Sequence, residues 1–209
     1  MVFYMENKEI IHYNDKEQEF TSVWRHELMA KSESWEWLKA VAVALLLAVV
    51  IRYFFFAPIV VDGESMMPTL EHNDRMIVNK IGYSISEPDR FDIVVFHATQ
   101  TKDYIKRVIA LPGDHVAYEN DVLYINGEPV DEPYLDEYKE NAYSQPFTGD
   151  FTLEGLTGES TVPEGHVFVL GDNRQHSKDS RHIGTIPYDE VVGKANFVFW
   201  PFNEFRIVN

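Results

Sequence analysis

A chain of 209 residues with 45% hydrophobic and 25% charged side chains is neither disordered nor wholly membrane-embedded; it allows one domain with additions, or two small ones. The formal net charge is −16, and 26 of the 34 acids but only 12 of the 18 lysines and arginines lie after residue 60. A surface of that sign repels nucleic acid and is not drawn to anionic lipid, so attachment to a membrane has to come from apolar insertion, and the lack of cysteine excludes disulfides and thiolate chemistry.

Residues 1–36 are polar and acidic without a clear period, and are predicted to form a short tail. Trp24, Trp35 and Trp37 lead into the next segment as interfacial tryptophans do. That segment, 37–58, is predicted to be a retained transmembrane anchor. Ala40 to Ile51 is an uninterrupted apolar run of 12, and Leu38 to Ala57 supplies the 20 residues a span needs. Lys39 and Arg52 fall near its ends, where they can snorkel. Pro58 predicts that the helix finishes by Ala57. A cleaved leader would start with a short basic stretch, whereas here a long acidic one precedes the apolar run. Arg25, Lys31 and Lys39 before the span are nearly balanced by Arg52, Arg75 and Lys80 after it, so charge leans only slightly towards a cytoplasmic tail.

Beyond it the pattern is short β-like runs broken by turns. Examples are 75–80, 91–96, 104–111, 115–118, 122–125, 167–170 and 195–200, with Pro112-Gly113-Asp114 and Asn126-Gly127 as turns. Residues 59–209 are therefore predicted to form a mainly β domain, an antiparallel β-sandwich or partly closed barrel. The acidic, aromatic and glycine-bearing stretch 131–160 is expected to be an insertion or flap outside the core.

Three places carry groups able to do chemistry. In Val61-Asp62-Gly63-Glu64-Ser65-Met66-Met67-Pro68-Thr69-Leu70 a serine follows a stretch that glycine opens to close backbone approach, and a proline stiffens what comes after. This suits a nucleophile and also an ordinary turn. In Tyr104-Ile105-Lys106-Arg107-Val108 the strand period of two places a cation in an apolar strip whichever face is inward. A buried Lys106 would lose its proton near neutrality and act as a base, or it would snorkel or pair with a carboxylate; Arg107 has no such capacity. Residues 171–181, Gly-Asp-Asn-Arg-Gln-His-Ser-Lys-Asp-Ser-Arg, suit a rigid loop bonded to itself, with Asp179 and Arg181 as an ion pair. A Ser-His-Asp triad would draw on His176, His182 or His115. No His-Glu-x-x-His or comparable cluster suggests a metal, and no cofactor is expected.

Taken together and in order, the anchor, Ser65-Met66-Met67-Pro68-Thr69-Leu70, Tyr104-Ile105-Lys106-Arg107-Val108, Leu111-Pro112-Gly113-Asp114 and the 171–181 loop resemble the bacterial type I signal peptidases over roughly residues 35–200. The resemblance implies a membrane serine endopeptidase that removes signal peptides from exported preproteins on the outer side of the cytoplasmic membrane. It implies Ser65 as nucleophile and Lys106 as general base. Ser177 would orient the lysine, and Asp179 and Arg181 would be the structural acid and base. Gly63 stands where one branch of the family has a serine that helps bind the oxyanion, and with the single anchor it resembles the Gram-positive branch. The Ser65 backbone N–H is expected to serve the oxyanion.

An extended signal peptide with small residues at alternate positions is best bound at a sheet edge with shallow apolar pockets. Ile59, Val61, Met66, Leu70, Tyr104 and Ile105 are the expected walls. The aromatic residues Phe54–Phe56 and 197–202 are either core or a means of placing the site at the bilayer surface. Two competing readings are a membrane-tethered β-domain that binds extended peptides without cutting them, and a self-cleaving repressor with Ser/Lys chemistry. The second would need a DNA-binding segment, which the acidic N-terminus does not offer.

Overall fold

The computed structural model describes residues 33–52, 55–80, 87–140 and 146–208. The predicted tail lies outside the described residues as far as residue 32, and so do Tyr53, Phe54 and Tyr143. Glu33–Arg52 forms one helix of 20 residues, exposed along its whole length. At 1.5 Å per residue it spans about 30 Å, the thickness of a bilayer's hydrocarbon core. It begins and ends earlier than predicted. Phe56–Val60 is not the tail of that helix but the first strand (β1), because its backbone finds partners in Arg75–Asn79. Pro58 has no N–H to give, and β1 is an edge strand, where that costs nothing.

The remaining strands are β2 (Arg75–Asn79), β3 (Ile93–Thr99), β4 (Lys102–Ala110), β5 (Val116–Glu119), β6 (Val122–Ile125), β7 (Glu128–Val130), β8 (Phe151–Thr152), β9 (His166–Leu170), β10 (Ile186–Pro187), β11 (Val191–Trp200) and β12 (Arg206–Ile207). They make two antiparallel sheets. The larger runs β1-β2-β11-β3-β4-β9-β10, with β12 added to β11; the smaller runs β7-β6-β5-β8. Both stay open at their edges, so the partly closed barrel does not form.

The local reasons are legible. Asn126 and Gly127 have φ of 55° and 84°, the doubly left-handed turn that joins twisted strands tightly, and Ile125 pairs with Glu128 across it. Asn120 and Asp121, at φ 51° and 64°, make the same kind of turn between β5 and β6. In β11, Gly193 passes so close to β2 that an added Cβ would lie 2.3 Å from the Asn79 carbonyl oxygen.

Both faces of the larger sheet are covered. One carries Val61, Met66, Leu70, Met76, Val78, Ile93, Val95, Ala195 and Val198, and the other Val94, Phe96, Val108, Val167, Val169 and Ile186. A third cluster joins the two sheets: Ile109, Ala110, Phe168 and Leu170 pack against Val116, Tyr118, Leu123, Ile125 and Leu153. Residues 131–160 are not a loose flap where they are described. Glu132, Leu135, Phe147, Thr148 and Leu153 are all buried. Asp121 accepts the backbone N–H groups of Phe147 and Thr148, which ties the segment down.

Candidate active site

Lys106 and Arg107 lie on opposite faces of β4, and because both faces are covered, both are inside, at 3% and 0% exposure. Their surroundings differ. Arg107 Nε and Nη2 donate to Asp172 Oδ1 and Oδ2 at 3.0 and 2.9 Å, Nη1 donates to the Phe91 carbonyl at 2.9 Å, and the guanidinium lies 3.9 Å from the Tyr134 ring centre. That is a fully matched buried cation. Lys106 has no carboxylate in salt-bridge range among the described residues. Its Nζ donates to Ser65 Oγ at 2.8 Å and to the Ile105 carbonyl at 2.7 Å, with the Tyr104 ring 5.3 Å away. Loss of water brings its pKa down to about 8, against the pull of Asp179 and Asp172 in the other direction.

Ser65 reaches this amine because the 61–70 turn is held from two sides. On one, Val61 exchanges backbone hydrogen bonds with Asn73 and Asp74, Gly63 (φ +105°) donates its N–H to His72 Nδ1 at 3.1 Å, and Met66 and Leu70 are sunk in the core. On the other, the turn is held by the loop after β9. Gly171 abuts the Ser65 backbone, Asp172 takes Arg107, and Asn173 donates its N–H to the Ser65 carbonyl and its Nδ2 to the Glu64 carbonyl, each at 3.1 Å. Arg174 is buried against Glu132. The Ser65 N–H is taken by none of the described hydrogen bonds, so it is available to a developing oxyanion.

A groove of about 470 Å³ opens at Ser65 and Lys106. Of the side chains expected to form it, Ile59, Val61, Met66, Tyr104 and Ile105 do line it, as does Gly63. Leu70 does not: it is fully buried among Met76, Val78 and Val198, because the turn carries it inward. Asp103, His176 and Lys178 add polar lining that the strand pattern did not point to.

Asp179 and Arg181 form the expected pair, Nε to Oδ1 and Nη2 to Oδ2, both at 2.8 Å. Asp179 also caps the short helix Ser180–Ile183 and accepts the Gly171 N–H at 3.0 Å. Burial works to raise its pKa, but Arg181 and these N–H donors outweigh it and hold the carboxyl below the usual range. Ser177 is buried, and its Oγ meets no partner at good hydrogen-bond geometry among the described residues, although it lies near enough to Asp179 to help hold that carboxyl's pKa down; Lys106 bonds to Ser65 and Ile105. No histidine among the described residues hydrogen-bonds to Ser65; His176 lines the groove with Nδ1 3.3 Å from Asn173 Oδ1.

The residues missed by sequence reasoning are Gly171, Asp172, Asn173 and Arg174 as a brace, and Glu132 and Tyr134 behind them. The density of polar side chains in 171–181 pointed to a rigid loop, but the long-range partners of that loop lie 26 to 109 positions away in the chain.

An amine without a counter-ion, stripped of water and 2.8 Å from a hydroxyl, can take that hydroxyl's proton once deprotonated, and a free N–H beside it can receive an oxyanion. The profile of the family described as signal peptidase, peptidase S26, matches residues 34–200. Signal peptidase I of Bacillus caldolyticus is 53% identical over 175 residues, covering 84% of this chain and 94% of that protein. Signal peptidase IB of Staphylococcus aureus (strain Mu50) is 44% identical over 180 residues, again covering 84% and 94%. A crystal structure of a signal peptidase I from Enterococcus faecalis V583 is 45% identical, with a TM-score of 0.49 over 52% of this chain and 97% of that one.

Proposed function

Since this chain belongs to the signal peptidase family, peptidase S26, whose members cut signal peptides from preproteins, we propose that it does so with Ser65 as nucleophile and Lys106 as the base that activates it. The observation that carries the assignment is the 2.8 Å contact between Lys106 Nζ and Ser65 Oγ, with the lysine buried.

In the ammonium form that contact runs from Lys106 to Ser65. When Lys106 is neutral its lone pair accepts the Ser65 proton over the same distance, and Oγ attacks the scissile carbonyl. The Ser65 N–H stabilises the oxyanion. Lys106 then returns the proton to the leaving amine as the C–N bond breaks, leaving an acyl-serine that water hydrolyses with Lys106 again as base. Asp179 and Arg181 keep the 171–181 loop in shape, and Gly63 lets the turn present Ser65 to the groove.

The substrate lies extended against β1, whose free edge offers unpaired backbone groups, and small side chains at alternate positions meet Ile59, Val61, Met66, Tyr104 and Ile105. Helix Glu33–Arg52 anchors the enzyme in the cytoplasmic membrane, with the β domain on the outer side, where signal peptides emerge. The exposed Trp200, Phe202, Phe205 and Ile207 suit contact with lipid.

The test is cleavage of a signal-peptide substrate carrying small residues in the A-x-A pattern, in detergent or lipid. Ser65→Ala and Lys106→Ala lose turnover while binding the peptide. Cleavage surviving either change would remove that residue from the mechanism.

A further inference from the structure

We propose that the tripeptide Glu132-Pro133-Tyr134, none of which lines the groove, positions Ser65 and Lys106 against each other by holding the two buried arginines attached to them. The inference rests on Ser65 and Lys106 being nucleophile and base. The tripeptide follows β7 of the smaller sheet and makes two connections to the larger one.

The first runs from Glu132 to Ser65. The Glu132 carboxylate is buried and accepts Arg174 Nη2 at 2.5 Å, Tyr118 Oη at 2.6 Å and Tyr134 Oη at 2.7 Å. Burial alone would raise its pKa, but Arg174 and the two phenols more than offset that and keep it ionised. Arg174 Nε also donates to the Gly171 carbonyl at 3.1 Å. Arg174 thereby ties down both ends of the stretch 171–174, in which Gly171 touches the Ser65 carbonyl and Asn173 bonds to it.

The second runs from Tyr134 to Lys106. The Tyr134 ring lies 3.9 Å from the Arg107 guanidinium and meets Phe91 edge-on at 5.7 Å. Phe91 is itself a non-glycine residue at φ +73°, and Arg107 Nη1 bonds to its carbonyl. Displacing the ring would therefore remove the packing over one face of Arg107 and beside the Phe91 turn, leaving Asp172 to hold the guanidinium alone with that loosened turn, and Lys106 is the adjacent residue of β4. One tripeptide thus grips both halves of the dyad, and its two charged contacts are shut away from water, where they are neither screened nor easily rearranged.

The experiment compares full-length wild type, Tyr134→Phe, Tyr134→Leu and Glu132→Asp on an A-x-A signal-peptide substrate in detergent micelles, with turnover expressed per folded molecule. Tyr134→Leu lowers kcat about tenfold or more with KM within about twofold, as a misplacement of roughly an ångström does. It also moves the acid limb of the pH profile upward, because a loosened Lys106 regains water. Tyr134→Phe keeps the ring and so restores the acid limb, while losing the phenol bond to Glu132 leaves its kcat between those of wild type and Tyr134→Leu. Glu132→Asp keeps the charge but withdraws the carboxylate by one methylene; acting on the Ser65 side, it lowers kcat and leaves the limb in place. Should Tyr134→Leu not fold, Tyr134→His, with a smaller flat ring, is measured for the same quantities. Unchanged kcat per folded molecule in Tyr134→Leu and Glu132→Asp, or an acid limb that stays put in Tyr134→Leu, overturns the proposal. Cleavage by Ser65→Ala or Lys106→Ala overturns the dyad assignment instead, so the two failures are told apart.

Discussion

The α-carbon of Gly171 lies so close to Ser65 that a methyl group added to it would sit 2.4 Å from the Ser65 carbonyl oxygen and 2.1 Å from Ser177 Oγ. The carbonyl cannot retreat freely, since it accepts the Asn173 N–H. Gly171→Ala is therefore expected to lower stability by about 1–3 kcal/mol, as overpacking does. It also pushes Ser65 off Lys106 and reduces kcat more than KM. Thermal unfolding and steady-state cleavage check the two effects separately; a variant as active as wild type would show that the turn has room to give.

Turnover should rise with pH. Lys106 is useful only when neutral, and burial has moved its pKa to about 8, so kcat/KM climbs through that region and levels above it. His176→Ala and His182→Ala should leave the midpoint of this rise where it is. A rise centred on the ordinary imidazole range and abolished by either change would replace the lysine with a histidine.

The same burial has a cost in stability, with a definite sign. Unfolded Lys106 keeps its proton up to its ordinary value of 10.5, while the folded form gives it up at about 8. Between those values the unfolded chain holds more protons, so stability rises with pH across that window; below about 8 the ammonium is carried at a penalty of about 3 kcal/mol. Lys106→Met is expected to be inactive and more stable than wild type at neutral pH, with the advantage shrinking as pH passes from 8 towards 10.5. Chemical denaturation at pH 7 and near pH 10 measures it, and equal stability of the two proteins at both would contradict the burial of a charged amine.

Arg107 and Asp172 are both wholly buried, so Asp172→Asn leaves a guanidinium without its counter-charge. The loss expected for breaking a buried pair on one side is about 3–5 kcal/mol. Asp172 also raises the Lys106 pKa, so in the surviving folded molecules the rise of activity with pH should shift to lower pH. A pH profile that moved upward would contradict this electrostatic coupling.

Much was set by the order of residues alone. The apolar run ending near Arg52, the period-two strands, the Asn126-Gly127 turn and the presence of a serine and a lysine with suitable neighbours are local properties, because hydrophobic period and turn chemistry act over a few residues. The helix end was misplaced at Ala57 for the converse reason: Phe56–Val60 is apolar enough to continue a span, and only pairing with Arg75–Asn79 made it a strand. Period two could not say which of Lys106 and Arg107 faces inward, and the sheet, covered on both faces, buried both. What separated a proton acceptor from a structural cation was the partner each met, Ser65 Oγ for one and the Asp172 carboxylate for the other. Those meetings join residues 41 and 65 positions apart, and electrostatics and desolvation depend on distance in space, which only the folded chain supplies.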